Sequence, residues 1–217
     1  MFHVKQFHSQ DFQEAINVPR ETIDRLTRYA DLLIEKNKSQ NLVSKSTIDQ
    51  IWHRHFFDSA QLASLAPNGS KLWLDLGSGA GFPGLVLSIL GVGEVHLVER
   101  SVKKAEFLSE VAEITEANVK IHPFSIEELH YKEFINLNFD IITSRAVAKP
   151  GKILQLTEFI ASPTTIYLLP VGRGAEMALT ELKESWKLAS EIIPSRTDPN
   201  SSILLLREVY RNRTNKP

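Results

Sequence analysis

The chain has 217 residues, of which 42% are hydrophobic, and a formal net charge of −1. That length suits one catalytic domain with an extension and is enough to bury a substantial core. With no global positive charge, any nucleic-acid contact must rest on local patches, and the absence of cysteine removes disulfides, thiolate metal sites and cysteine nucleophiles.

The first residues, Met1 to Gln10, carry His3, Lys5 and His8 and lack the apolar run of a signal peptide. No stretch approaches ~18 uninterrupted apolar residues, so a cytoplasmic location without a membrane span is expected. Pro19 suits a first helical turn with Asn17 as its cap. Ile23, Leu26, Ala30 and Leu33 then recur at helical spacing. A second helix is predicted over Thr47 to Leu65, with Ile51, His55, Asp58 and Leu62 along one side. Pro67-Asn68-Gly69-Ser70 is a turn signal. It marks the expected boundary between a helical extension, residues 1–70, and a larger domain, residues 71–217.

Beyond that turn the pattern changes. Strands are predicted at Leu72 to Leu76, Glu94 to Glu99, Val119 to Phe124, Phe139 to Thr143, Thr165 to Leu169 and Ile203 to Leu206, with a helix over Val102 to Ile114. Alternating strands and helices imply a doubly wound α/β fold, a mostly parallel sheet covered on both faces. Only a short polar turn separates Glu191-Ile192-Ile193 from Ser201 to Glu208, which suits an antiparallel C-terminal hairpin at the sheet edge.

The sharpest motif is Leu74-Asp75-Leu76-Gly77-Ser78-Gly79-Ala80-Gly81-Phe82-Pro83-Gly84, which follows a strand and opens a helix. In doubly wound sheets ligands sit at the carboxyl ends of strands, and glycines there let backbone approach a ligand closely. Phe82 occupies the place of the third glycine in the dinucleotide fingerprint G-x-G-x-x-G. Asp75 would repel a pyrophosphate but tolerate the sulfonium and amino group of S-adenosylmethionine. Glu99 ends the second strand, where a carboxylate can accept both hydrogen bonds of a ribose diol. The alternative is a tight strand–helix turn with two surface acids.

The loop DLGSGAGFPG, the acid in LVER and the later ITSRAVA resemble the bacterial 16S rRNA guanine-N7 methyltransferases called glucose-inhibited division protein B. So do Asn37-Lys38-Ser39-Gln40-Asn41-Leu42 and Arg54-His55-Phe56-Phe57-Asp58-Ser59. The resemblance runs from Tyr29 to Glu181. It implies a class I S-adenosylmethionine methyltransferase acting on 16S rRNA or the small ribosomal subunit; the sequence does not give the oligomeric state, and a monomer is favoured. It also implies adenine contacts from Ile126 and Glu127 and places Arg145 at the cofactor site. The cofactor-binding set expected is therefore Asp75, Gly77, Gly79, Gly81, Phe82, Glu99, Ile126, Glu127 and Arg145. No catalytic base is required, because guanine N7 carries no proton to remove, and no metal site is expected, because the two histidines His53 and His55 at i, i+2 do not share a helix face; Arg145 is the candidate for positioning cofactor or substrate.

Several readings stay open. Ile126 could simply begin a short helix with Glu127 solvated, and Arg145 could form a structural ion pair. Arg54, His55 and Asp58 could be a catalytic cluster, with His55 and Asp58 pairing across one helical turn, or could dock the N-terminal helices on the sheet. Arg54 and Arg173 are candidates for RNA contact, and so is the basic tail Arg207, Arg211, Arg213 and Lys216. The family pattern has arginine where this chain has Ser125, and lysine where it has Val171; Arg173 could supply the second charge. A methyltransferase for a small molecule or protein, and a non-catalytic ribosome- or RNA-binding module keeping the cofactor fold, are the alternatives. Phe82 and Asp75 disfavour an NAD-dependent dehydrogenase.

Overall fold

A computed structural model describes residues 7–128, 134, 136–145 and 147–212. His3, Lys5, Ala146, Arg213 and Lys216 lie outside the described residues. The chain opens with helices α1 (Ser9–Ile16) and α2 (Arg20–Gln40) and a short α3 (Lys45–Ile48). A π-helical segment (Trp52–Phe57) then runs into a single turn, α4 (Asp58–Ala60), and a 3₁₀ turn (Ala63–Leu65). The alternating part follows: β1 (Leu72–Leu76), α5 (Gly84–Ile89), β2 (Glu94–Val98), α6 (Val102–Thr115), β3 (Val119–His122), a 3₁₀ turn (Ile126–Glu128), β4 (Ile141–Thr143), α7 (Pro150–Thr157), β5 (Ile166–Val171) and α8 (Ala175–Ser185). The hairpin β6 (Trp186–Pro194) and β7 (Ser202–Arg211) closes the chain.

The seven strands form one sheet in the order β3-β2-β1-β4-β5-β7-β6. β1 to β5 are parallel; β7 runs antiparallel to both β5 and β6. The strand order reverses beside β1, between β2 and β4. The carboxyl ends of these strands flank the crevice in which this class of sheet binds ligands. The doubly wound architecture and the C-terminal hairpin expected from the sequence are both present.

Alternation along each strand supplies two cores. Trp73, Val95, Leu97, Ile141 and Leu168 face one side, where they meet α5, α6 and the N-terminal helices through Leu85, Phe107, Leu26, Tyr29 and Phe56. Leu74, Leu76, Val98, Ile142 and Leu169 face the other and pack on Ile153, Leu154 and Leu182 of α7 and α8. The N-terminal helices thus share a core with the sheet. Lys36 of α2 pairs with Glu110 of α6 at 2.6 Å, and the Arg25 guanidinium caps the end of α6 through the Thr115 and Glu116 carbonyls.

Two expectations need correction. Asn17 is the left-handed C-cap of α1, not the cap of the next helix; Pro19, with extended backbone, precedes α2. The predicted helix over Thr47 to Leu65 is broken. Turns at Asp49 and Gln50 end α3, and the π segment widens the helix over Trp-His-Arg-His-Phe-Phe. That sequence stacks large rings at successive positions: Trp52 packs edge-on against Phe56, and Phe12 and Tyr29 crowd the same side. π-Bulges of this sort cluster at functional sites, and this one presents Arg54, His55 and Asp58 toward the carboxyl edge of the sheet.

Candidate active site

The glycine loop lies at the carboxyl end of β1. Asp75 sits beneath it, fully buried, and its Oδ2 accepts the Gly84 amide at 3.0 Å. A side chain at Gly84 would strike Leu97 and Asp75, so glycine is required there to let α5 start directly above the strand. Burial pushes the Asp75 carboxyl up to about 6, against the opposing effects of the Gly84 amide and the Arg145 charge. Its Oδ1 has no partner among the described residues.

A cleft of about 320 Å³ opens beside the loop, at the lower end of the size range of ligand pockets. Gly77 and Gly79 form its floor, Val98 and Ile126 its apolar wall, and Glu99 and Glu127 its acids, with Arg100, Lys104 and Arg145 at its rim. Glu99 is buried, and its two oxygens accept the Gly79 amide at 2.9 Å and the Ser101 amide at 2.8 Å. Those two bonds fix the plane of the carboxylate and leave it further lone pairs, since an ionised carboxylate has about four acceptor sites. A Cβ on Gly79 would meet nothing nearer than 3.8 Å, so the space above the loop is open. Glu127 accepts the Ser125 hydroxyl, which holds its carboxyl below the usual range.

Of the residues singled out in the sequence, Gly77, Gly79, Glu99, Ile126, Glu127 and Arg145 line this one cleft. Asp75, Gly81 and Phe82 do not line it. Asp75 supports the loop from below. Gly81, in the left-handed region at φ 98°, leaves room for Leu85 and for Tyr29, whose hydroxyl donates to the Ala80 carbonyl. Phe82 is buried between Tyr29 and His55, with ring centroids at 5.5 and 4.7 Å.

Arg145 and Ala148 also line a second cavity, of about 580 Å³. Arg54, His55 and Asp58 border it from the π segment, Val171 from the end of β5, and Thr197 and Asp198 from the β6–β7 turn. His55 and Asp58 do not pair with each other. Both hold Arg145: Nη1 donates to Asp58 Oδ2 at 3.4 Å and Nη2 to His55 Nδ1 at 3.3 Å, while the guanidinium lies 5.0 Å over the Phe82 ring. A guanidinium only donates. His55 Nδ1 is therefore an acceptor, and its Nε2 carries the proton that meets Thr47 Oγ1 at 2.9 Å. Burial, then Arg145 and Arg54, lower the His55 pKa to about 3, so the ring stays neutral.

Asp58 is tied from a third side. Thr197 Oγ1 donates to its Oδ1 at 2.5 Å and Gln61 Nε2 at 3.1 Å, while Arg54 pairs with Asp198 at 3.3 Å. Thr47, Gln61, Thr197 and Asp198 carry no motif and were missed by sequence reasoning; only the turn signal at Asp198-Pro199-Asn200 could have drawn attention to them. Arg173 borders neither cavity just described. It lines a third, which Val171 also borders. Among the described residues no group of three or more histidine, aspartate or glutamate side chains could hold a metal ion. No helix among them is long and apolar enough to cross a membrane.

A family model described as "GidB: rRNA small subunit methyltransferase G" matches residues 22–199. The chain is 46% identical over 203 residues to the ribosomal RNA small subunit methyltransferase G of Rhodospirillum centenum, covering 94% of this chain and 92% of that protein. It is 41% identical to its namesake in Rhodospirillum rubrum over 202 residues, covering 92% and 97%. Among solved structures it is similar in fold to a variant of MtNAS in complex with S-adenosylmethionine (TM-score 0.56, 17% identity, 94% of this chain and 86% of that one). It is also similar to the fibrillarin/Nop5p complex (TM-score 0.55, 17% identity, 70% and 82%). Matches spanning nearly the whole length at this identity leave one conclusion: the chain belongs to the rRNA small subunit methyltransferase G family.

Proposed function

We propose that this chain transfers the methyl group of S-adenosylmethionine to N7 of one guanine in 16S ribosomal RNA, in the cytoplasm and as a monomer. The observation that carries this reading is the wall that Arg145 and Ala148 share between the glycine-loop cleft and the larger cavity. Two ligands, one on each side, would meet at that wall.

S-adenosylmethionine supplies a methyl group already activated on a sulfonium. The fit is chemical: an open glycine floor, a fixed carboxylate with spare lone pairs at Glu99, and an apolar wall at Val98 and Ile126. Glu99 would hold the ribose diol and Ile126 the adenine face, with Glu127 beside its exocyclic amine. Gly77 and Gly79 would admit the cofactor against the backbone. Asp75, Gly81 and Phe82 would act on this site indirectly, by shaping the loop. Arg145 would orient the groups on both sides of the shared wall. Arg54 and Arg173 remain the candidates for RNA contact.

Guanine N7 has an in-plane lone pair and no proton. The neutral His55 therefore has no general-base role to fill and serves as the acceptor that aims Arg145. The protein's contribution is orientation, which can supply roughly 7–11 kcal/mol in favourable cases. Incubating the purified chain with methyl-labelled cofactor and small-subunit RNA, then digesting to nucleosides, tests this. Label in N7-methylguanosine is the expected result; label elsewhere, or none on any form of the subunit, defeats it.

A further inference from the structure

The third cavity, of about 510 Å³, is a groove beside the N-terminal end of α7 that runs along α8 from Gly174 and Met177 to Ser185 and Trp186. The end bordered by Lys149, Lys152, Val171 and Arg173 lies at the same edge of the sheet as the other two cavities, because α7 follows β4 and α8 follows β5, while Trp186 and Arg211 border its far end. Lys149, Lys152, Arg173 and Arg211 border it, and Glu181 is the one carboxylate in its lining among the described residues. In a chain of net charge −1 this is a local surplus of positive charge.

The cations are held differently. Arg211 is pinned by Glu158 at 3.1 Å and lies 5.5 Å over the Trp186 ring. Lys149 meets Glu181 only at 3.8 Å, with both side chains largely solvated. Lys152 and Arg173 make no ion pair among the described residues, although the Lys152 charge reaches the Glu127 carboxylate. Neither helix end is capped by a side chain. The N-terminal ends of both helices therefore turn their partial positive charge toward this space, although Pro150 has no amide proton and the Lys152 amide is taken by the Lys149 carbonyl.

We propose that this cavity seats the phosphodiester backbone of the acceptor RNA next to the target guanine. The inference rests on the functional reading above. Val171 borders both this cavity and the one at Arg145, so a strand whose base enters the latter passes directly over the former. Backbone phosphates need dispersed donors and cations more than shape, which is what this wall offers. Met177, 67% exposed at the mouth, gives an apolar surface for a neighbouring base or ribose. The arrangement also accounts for Val171 in place of lysine: the positive charge stands around the next turn, on Arg173 and Lys152.

The test measures affinity for a 16S RNA fragment that the unmodified chain methylates, across a salt series, with S-adenosylhomocysteine present. Loss of two phosphate contacts in a Lys152→Gln, Arg173→Gln double variant should make the slope of log affinity on log salt shallower by about 1.4 to 1.8. Affinity for S-adenosylhomocysteine should stay within about twofold, which also shows that the variant is folded. A Lys71→Gln, Arg28→Gln variant removes the same charge away from this cavity and should leave the slope unchanged. An unchanged slope in the first variant, or an equal change in both, overturns the proposal while methylation by the unmodified chain still upholds the functional reading. If the unmodified chain methylates no small-subunit RNA, that reading falls and this proposal with it.

Discussion

Arg145 and Asp58 meet across the fold, Nη1 to Oδ2 at 3.4 Å, one from the end of β4 and the other from the end of the π segment. The pair is half-buried, and it joins the N-terminal helices to the wall between the two central cavities. Asp58 in turn receives Thr197 from the β6–β7 turn. Three distant stretches of chain therefore fix one guanidinium.

This makes Asp58 and Arg145 energetically coupled. Asp58→Ala takes a carboxylate acceptor from Arg145, Thr197 and Gln61, which keep only His55 Nδ1, Ser195 Oγ and the backbone carbonyl of residue 58, and the expected loss of stability is about 1–3 kcal/mol. In a double-mutant cycle with Arg145→Ala, urea unfolding should give a coupling energy of about 0.5–3 kcal/mol. Additive single-variant effects would show that the contact carries no weight.

Asp75 predicts a pH dependence of stability. Burial raises its carboxyl in the folded chain to about 6, from the usual 3.8. The unfolded chain therefore releases this proton first. The favourable contribution is complete below about pH 4 and is lost as pH rises through about 6, an effect on the order of 3 kcal/mol. Asp75→Asn removes it. The difference in unfolding free energy between variant and parent, measured in the cofactor-free protein, should grow from pH 4 to pH 7 in favour of the variant. A difference independent of pH contradicts the assignment.

The histidines act in the opposite sense. His122 Nε2 and His96 Nδ1 lie 3.1 Å apart, and His96 Nε2 meets Glu94 Oε1 at 2.9 Å beneath Phe134 and Phe139. Burial, then the neighbouring His96 and Lys120 charges, lower His122 to about 4; burial lowers His55 to about 3. Their contribution is present above the unfolded value of 6.5 and is lost as pH falls toward 4. His122→Gln should flatten the acid side of the stability profile between pH 6.5 and 4. An unaltered acid limb, followed by circular dichroism, would show that His122 titrates normally.

The glycine loop, its flanking acids and the five parallel strands were legible in the sequence because they are local: a short apolar run, a turn that only glycine permits, and a carboxylate at a strand end. The function of Asp75 was not, because its place under Gly84 depends on how α5 lands on β1. The break in the predicted helix over Thr47 to Leu65 was also hidden. Ile51, His55, Asp58 and Leu62 keep a helical period, which does not distinguish an α-turn from the wider turn found over Trp52–Phe57. The Arg145 network joins residues ~90 to 140 positions apart, beyond what periodicity reports.

Glu99 offers the most direct handle on the cofactor cleft. Glu99→Ala removes a charged acceptor and releases the Gly79 amide, so affinity for S-adenosylmethionine should fall by about 1.5–3 kcal/mol, or roughly 10- to 150-fold. Calorimetry decides it: unchanged affinity in a folded variant would take Glu99 out of the site.

The central claim is the identity of the methylated atom. Small-subunit ribosomal RNA from cells lacking this gene, digested and compared by mass spectrometry with RNA from the parent and from cells carrying the Arg145→Ala form, tests it most directly. The account predicts that one N7-methylguanosine disappears in the deletion, returns with the intact gene and does not return with Arg145→Ala. An unchanged N7-methylguanosine content in the deletion strain would contradict it.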